Sequence, residues 1–524
     1  MSKKNFSSRE NDILVIAKGA GIVFSGTLIG SGLRYVFQIM AARNLGPELF
    51  GLFTLGFAAY KIAGMIAELG LPNGLLRFIP IFHGENDPAR TKGVITDSRN
   101  LGFFASIVIS ASLFLFSGPM ATSVFHAPEL APVMRLFAAA IPFATLTTLF
   151  LFGTQGFKIM KYKILVREIF EPSVRIILVL ILSLLTWKLY GIVLAYIIPI
   201  LLATAISSSY LKKVFPDVAK KSVATIRETR KLLNFSLPLL FVQFFGLVVL
   251  WTDTLMLGYF RTAEEVGIYG AAQRTALLGS LISTSFGSIF APIISGLFNR
   301  KEFDKLRSYF QTVAKWIFSF SFPLLLAVIL LSEHILGIFG HEFRVGSGSL
   351  ILLSLAWIVH SAVGSAGQMI IMTGRQKLHL LNMIFVVIVN IVLNIVFIPS
   401  YGMKGAALAT FTSIALFNIM ELLQVRLILK IQPYRADFLK PVLAGTLSAA
   451  ILFLLTESIF NGYNPLSIAV LCFVFFSTYT VFIVILGLQE EDKTVLSRIK
   501  EAISAAARPG KNREGDNLDK TGKK

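Results

Sequence analysis

Apolar stretches of membrane-spanning length recur along almost the whole chain, separated by short polar joints. The first set lies near 20–42, 50–70, 94–117, 131–153, 168–187 and 190–210. A second set follows near 233–258, 265–298, 310–332, 349–373, 378–398 and 402–425, and two more lie near 441–460 and 465–488. A bilayer core takes about 20 helical residues to cross, so each run is a candidate span. The pattern predicts an all-α integral membrane protein with about 14 transmembrane helices, grouped six, six and two. Pro292 inside the long eighth run predicts a break or a tilt there.

Composition agrees with that reading. Of 524 residues, 55% are apolar and 15% charged, with mean hydropathy +0.73. A soluble protein carries about 25% charged residues, so a soluble enzyme is excluded. The formal charge of +20 would suggest nucleic acid in a soluble chain. In a multispanning one it reflects Lys and Arg retained in the inside loops, and no nucleic-acid partner is expected. With the N-terminus inside, 38 cations fall on the inside and six outside, namely Arg43, Arg135, Lys188, Arg261, Arg344 and Lys404. A missed span would invert every later loop. Both termini are therefore expected in the cytoplasm, and the basic N-terminal flank reads as retained rather than as a cleaved signal. Cys472, the single cysteine, excludes an internal disulfide and a cysteine-based metal cluster.

An internal repeat appears at an offset of 216 residues. Glu48, Gly51, Leu52 and Phe53 fall on Glu264, Gly267, Ile268 and Tyr269, and Met40 falls on Met256. Six spans per unit is an even number, so the units share one orientation, as in a parallel repeat about the membrane normal. The expected organisation is an N-terminal lobe over 1–210, a basic cytoplasmic linker over 211–232, and a C-terminal lobe over 233–430. Two further helices occupy 431–488, and a tail over 489–524 reads as a short amphipathic segment followed by disorder. The linker holds seven cations, from Lys212 to Lys231, and is expected to lie as an amphipathic segment on anionic lipid.

The residues Ala42-Arg-Asn-Leu-Gly-Pro-Glu-Leu-Phe-Gly-Leu-Phe53 and Glu68-Leu-Gly-Leu-Pro-Asn-Gly-Leu-Leu-Arg-Phe-Ile79 resemble the opening of the polysaccharide transporter (Wzx-type) flippases. Asp253-Thr-Leu-Met-Leu-Gly258, Val266-Gly-Ile-Tyr-Gly-Ala-Ala272 and Ile398-Pro-Ser-Tyr-Gly-Met-Lys-Gly-Ala-Ala407 extend the resemblance over about 20–430. That family sits in the multidrug/oligosaccharidyl-lipid/polysaccharide (MOP) superfamily, beside lipid II flippases and MATE antiporters. The resemblance implies a V-shaped, two-lobed carrier in the cytoplasmic membrane. It implies as substrate a polyprenyl-diphosphate-linked oligosaccharide, such as an O-antigen or exopolysaccharide repeat unit. Membrane lipids and the polysaccharide polymerase machinery are then candidate contacts, and H+ or Na+ the candidate coupling ion.

Ionisable groups at membrane depth cost about 2.5–3.5 kcal/mol on insertion scales and face a cavity or a partner. Arg34 falls in the outer half of the first span, Lys61 near the middle of the second and Arg274 in the outer third of the eighth. Subtracting the offset puts Arg274 at position 58, three residues from Lys61 and so on the same helical face. Arg34, Lys61 and Arg274 are the candidate cationic cavity for a diphosphate, since guanidinium and ammonium donors match phosphate oxygens. Arg175 and Lys315 read as snorkelling. Asp253 is the carboxylate farthest from the cytoplasmic ends. It is either the counter-charge of an arginine such as Arg34, or a proton or Na+ coupling site. Gln155, Gln243, Gln273, Gln368, Asn390, Asn394 and Asn418 read mostly as interhelical glue, and His360 as a packed polar residue.

No P-loop, no metal-ligand spacing and no catalytic triad on a long loop occurs, so no cofactor, metal or enzymatic activity is expected. The alternative to a flippase is a MATE-like cation-coupled multidrug antiporter, against which the excess of cavity cations counts. A polysaccharide-polymerising enzyme would need a large outside loop. The longest expected, about 118–130, is short. The orientation has a direct check in a Cys472→Ser background. Cysteine at Glu129 should react with a membrane-impermeant thiol reagent from outside and cysteine at Ser222 should not, and the reverse labelling would invert the topology.

Overall fold

A computed structural model describes residues 2–184, 188–459, 465–487, 489 and 492–493, with side chains described from residue 25 onward except at 288, 456–459 and 465–467. Among the described residues the fold is helical throughout, and eleven segments are long and apolar enough to cross a membrane. Two of them are far too long for one crossing. Ser25–Gly84 has 60 residues and Ala366–Leu429 has 64, whereas a bilayer core about 30 Å thick is crossed by about 20 residues at 1.5 Å each.

Both long segments fold back on themselves at a glycine. Within Ser2–Ala67, Gly46 takes φ 71, ψ 173 immediately before Pro47, a conformation open to glycine and closed to most side chains. The rings of Phe37 and Phe53 then lie 6.3 Å apart, although a straight helix would separate them by about 24 Å. Within Gln376–Leu429, Gly402 takes φ 55, ψ −135 three residues after Pro399. Asn382 Nδ2 donates to Gln424 Oε1 at 2.7 Å and Gln424 Nε2 donates back to Asn382 Oδ1 at 2.9 Å, a pairing that only antiparallel arms allow. The Gly-Pro and Pro-Ser-Tyr-Gly signatures are these two turns.

The eighth expected span is broken, but not at its proline. Ala263–Ala276 passes through a tight turn at Leu277–Gly279 into Ser280–Asn299, and Pro292 sits inside that last helix. The fifth expected span begins as a π-type stretch at Ile164–Phe170, continues as Glu171–Leu184, and ends in residues outside the description. The amphipathic tail expected after residue 489 lies almost entirely outside the described residues as well.

The linker is not a long amphipathic helix. Between Val214 and Thr229 the only helical turn among the described residues is Pro216–Val218, and the strand of chain around it is belted onto the Pro88–Pro119 helix. Lys92 Nζ donates to the carbonyls of Lys220 and Val223 at 2.6 and 2.9 Å, and Thr229 Oγ1 donates to Asp97 at 2.7 Å. These bonds fix the linker's backbone, and its seven cationic residues are exposed.

The repeat offset reappears as a contact. The arm after Gly46 lies against Ala263–Ala276, and the two glycines 216 residues apart face each other reciprocally. A Cβ on Gly51 would land on the Ala263 carbonyl oxygen and 3.1 Å from the Gly267 nitrogen. A Cβ on Gly267 would land on the Pro47 carbonyl oxygen and 2.9 Å from the Gly51 nitrogen. Pro47 and Ala263 are themselves 216 apart. Backbone on backbone is the close approach that small residues permit between membrane helices. Tyr35 and Thr275 hydroxyls share a hydrogen bond of 2.9 Å beside it, and Phe50, Phe53 and Tyr269 pack there fully buried.

Gly267→Val should therefore hold the outer ends apart. Overpacking costs about 1–3 kcal/mol, so a cysteine at Thr54 should label from outside about tenfold faster in that background. Equal labelling rates with and without Gly267→Val would show that the contact does not gate access.

Candidate functional site

Four residues of the arm after Gly46, Phe50, Thr54, Phe57 and Lys61, recur at spacings of four, three and four, which places them on one stripe of the helix. Lys61 is half-buried and makes no ion pair among the described residues. Its Nζ lies 5.2 Å from the Phe57 ring and 5.7 Å from the Tyr60 ring, and cation–π contact of this kind leaves the ammonium donors free. Arg274 reaches the same stripe from the repeat-related helix. Both its terminal nitrogens lie 3.4 Å from Thr54 Oγ1, and its guanidinium lies 5.2 Å from the Phe50 ring. No carboxylate comes within ion-pair distance of it among the described residues. Thr54 and Lys61 are two turns apart, about 10 Å along the axis. The two cations thus share a face but not a level.

Arg34 does not join them. Its Nη1 donates to Glu168 at 2.5 Å and its Nη2 to Ser31 at 2.9 Å, so its charge is already answered. Arg175 does not snorkel: it is buried, pairs with buried Glu171 at 2.5 Å, and lies 3.9 Å over the Tyr196 ring. Arg167 stands 3.8 Å from the same Glu171. Lys315 is bound at the opposite end of the molecule, to Asp492 at 2.7 Å, with Trp316 Nε1 donating to the other Asp492 oxygen at 2.8 Å. Burial alone would raise the Asp492 carboxyl, but the donors of Lys315, Trp316 and the Gln489 amide outweigh it and hold the group below its ordinary range.

Asp253 stands in the other half, fully buried, and its partners are neutral. Tyr269 donates to Oδ2 at 2.8 Å, Asn394 Nδ2 donates to Oδ1 at 2.7 Å, and the Thr410 hydroxyl also donates to Oδ2. Asn394 is shared with Asn390 Oδ1 at 3.1 Å, and Asn394 Oδ1 is buried without a hydrogen-bond partner. The expected counter-charge pairing with Arg34 is thereby corrected: Arg34 sits on Glu168, and hydroxyl and amide donors answer Asp253 instead. A cavity of about 310 Å³ opens beside it, lined by Gln273, Trp357, His360, Thr410 and Asn418 among others. His360 Nδ1 lies 3.0 Å from Asn418 Oδ1. Asn390, Asn394 and Asn418 therefore serve the Asp253 surround and its cavity.

Sequence reasoning missed Glu168, Glu171, Tyr269 and Thr410. Glu171 was findable, since Arg167, Glu171 and Arg175 stand four apart on one helical face. The others contact partners at separations of 16 to 157 residues, for which one sequence carries no local signal.

Comparison with known proteins places this geometry. The family model described as polysaccharide biosynthesis protein matches residues 16–298, and a second, described as MatE, matches 238–399. The "Probable low-salt glycan biosynthesis flippase Agl15" of Haloferax volcanii is 23% identical over 416 residues, covering 78% of this chain and 82% of that protein. Among solved structures, the lipid II flippase MurJ in an inward closed conformation aligns with TM-score 0.70 at 17% identity, over 89% of this chain and 98% of that one. An inward-facing MATE transporter of the MOP superfamily aligns with TM-score 0.64 at 15% identity, over 76% and 94%. These structural likenesses establish that the chain shares the fold of those two structures, and with more than half its length matched by the family model, the chain belongs to the polysaccharide biosynthesis protein family.

Proposed function

We propose that the chain is a flippase that carries a polyprenyl-diphosphate-linked oligosaccharide from the cytoplasmic to the outer leaflet by alternating access of two lobes, 1–210 and 233–430. The observation that carries the reading is the pair Lys61 and Arg274. Both are half-buried cations with no carboxylate within ion-pair distance among the described residues, delivered to one helical stripe by repeat-related helices. Cations held at membrane depth are costly unless a partner arrives, and a diphosphate is an anion that guanidinium and ammonium groups recognise. The flippase names of relatives point the same way. An exporter of organic cations would need carboxylates free of cations near that stripe, whereas Glu168 and Glu171 are engaged by arginines and Glu68, two turns beyond Lys61, interacts electrostatically with Arg167 and Lys61.

Asp253 supplies the coupling site in this reading. Its carboxylate oxygens, with the hydroxyl oxygens of Tyr269 and Thr410 beside them, suit a proton or a hard monovalent cation, and the unpartnered Asn394 Oδ1 fits a ligand role for such an ion. A flip of the Asn394 amide would exchange the Nδ2 hydrogen bond to Asp253 for Oδ1, which could then ligate the cation. No arginine competes for it.

The test for the cationic pair is transport in a host lacking its own flippase, scored by the leaflet occupied by lipid-linked sugars. Lys61→Ala and Arg274→Ala should each lower transport about tenfold or more at unchanged protein level, because a charge-assisted hydrogen bond is worth about 1.5–3 kcal/mol. Lys61→Arg should retain more activity than Lys61→Glu. Equal activity of those two would sink the proposal.

For the coupling site, Asp253→Asn keeps the shape and removes the charge. Transport by this variant should no longer respond to an imposed proton or Na+ gradient. If Na+ is the ion, the purified wild-type chain should melt at higher temperature in NaCl than in KCl by mass action, and the variant should not. Gradient-dependent transport surviving in Asp253→Asn would remove Asp253 from the coupling role.

A further inference from the structure

A second basic site lies at the opposite end of the molecule from the Gly51–Gly267 contact, where the Leu71–Gly84 helix meets the start of the Thr229–Phe260 helix. It is a wide, solvent-open depression of about 850 Å³ lined by Arg77, Phe78, Arg227 to Lys231, Asn234 and Phe235. Four cations face one carboxylate there, and that carboxylate is doubly engaged: Glu228 lies 3.0 Å from Lys231 and 3.5 Å from Arg90. Arg227 is spent on Asp97 at 3.6 Å. Arg77 and Arg230 are exposed and make no ion pair among the described residues.

The socket is built on a fixed frame. The Arg77 guanidinium lies 4.3 Å over the Phe235 ring, which meets Phe78 edge-on at 5.7 Å. Stacking holds a guanidinium flat and leaves its N–H edge free for a bidentate anion. Beneath it, the helices are in backbone contact: a Cβ on Gly70, which has φ +68, would land on the Ser236 carbonyl, and one on Gly74 would come 2.6 Å from Ser236 Oγ. From Asn234 the same helical stripe continues through Leu237 and Phe241, 37% and 62% exposed. Basic socket and open apolar face are therefore stacked along one helix. That order matches an amphiphile with an anionic head and a long apolar tail.

We propose that this socket is an entry site that binds the diphosphate head of the isoprenoid-linked substrate on the cytoplasmic face, before it reaches Lys61 and Arg274. The proposal rests on the flippase reading and on the charge-derived orientation. Arg77 and Arg230 are its anion-binding residues, and the Leu237–Phe241 face takes the first isoprene units.

The test uses the purified full-length chain with inorganic pyrophosphate and geranyl diphosphate as probes, read by ligand-dependent fluorescence or thermophoresis. In a Lys61→Gln, Arg274→Gln background, which removes the deeper pair, saturable binding of both probes should remain, with geranyl diphosphate the tighter. Adding Arg77→Gln and Arg230→Gln should weaken it about tenfold or more, while Arg77→Lys with Arg230→Lys at an unchanged melting temperature should retain an intermediate affinity. Phosphatidylglycerol nanodiscs should not displace geranyl diphosphate. Loss of all binding in the Lys61→Gln, Arg274→Gln background, unchanged affinity in the Arg77→Gln, Arg230→Gln variant, or equal displacement by phosphatidylglycerol would each overturn the entry site. Transport lost at Lys61 and Arg274 is a separate readout, so a failure of the flippase reading and a failure of the socket are distinguishable.

Discussion

The contact on which the rest depends is backbone against backbone at Gly51 and Gly267. Each glycine leaves room for a carbonyl oxygen of the other helix, and no side chain of any size could stand there. Lipid offers no hydrophobic drive for helices to meet, so close van der Waals approach through small residues has to supply it. Because the same two positions are related by the repeat offset, the contact is its own mirror partner: what Pro47 does to Gly267, Ala263 does to Gly51. A joint of this kind can be broken and remade without leaving a buried polar group unpaired, since the helices satisfy their own backbone hydrogen bonds. That property suits a surface that must open.

Charge in the two halves is handled by different chemistry. In the first half, arginines are neutralised by carboxylates on the Ile164–Leu184 segment: Arg34 by Glu168, and Arg175 with Arg167 by Glu171. A buried pair is costly to break because the survivor is left unanswered, which fixes these side chains and removes them from ligand chemistry. What remains available is Lys61, and from the second half Arg274. In that second half the buried carboxylate Asp253 has no cation within ion-pair distance among the described residues and is held by neutral donors. Repeat-related architecture therefore carries unlike chemistry, cationic groups at the shared stripe and a carboxylate held by neutral donors behind it.

How much of this was legible in the sequence varies with the range of the interaction. The Gly46-Pro47 and Pro399-to-Gly402 turns are local, and glycine and proline announce them in a few residues. The repeat was readable because it fixes residue types at a constant separation, and its glycines turned out to be the contact. Pro292 misled, because a helix packed among others tolerates a proline when its neighbours re-satisfy the freed carbonyl, and the break fell instead at Leu277–Gly279. Arg34 misled for a different reason. Depth in a span says that a charge needs an answer, yet Glu168 lies 134 residues away, and nothing in the local pattern selects it over Asp253. The linker's backbone tie was unreadable for the same reason, since Lys92, which binds its carbonyls, lies 128 to 131 residues away.

The neutral surround of Asp253 bears on how the halves can be coupled at all. Had Asp253 been paired with an arginine, its protonation or ion occupancy would have changed a salt bridge, a local event. Held by Tyr269 from the helix that carries Gly267, and by Asn394 and Thr410 from both arms of the Gln376–Leu429 hairpin, it instead ties three elements together through one carboxylate. Any ion that alters those hydrogen bonds must reposition Tyr269, two residues from Gly267 and five from Arg274. A ligand shifts an equilibrium only by its differential interaction with the two states, and the Ala263–Ala276 helix is where such a difference would be felt by both the glycine contact and the substrate cation. One short helix thus carries the Gly267 joint, Arg274 and the Tyr269 hydroxyl bound to Asp253, so a rigid movement of it would displace all three together.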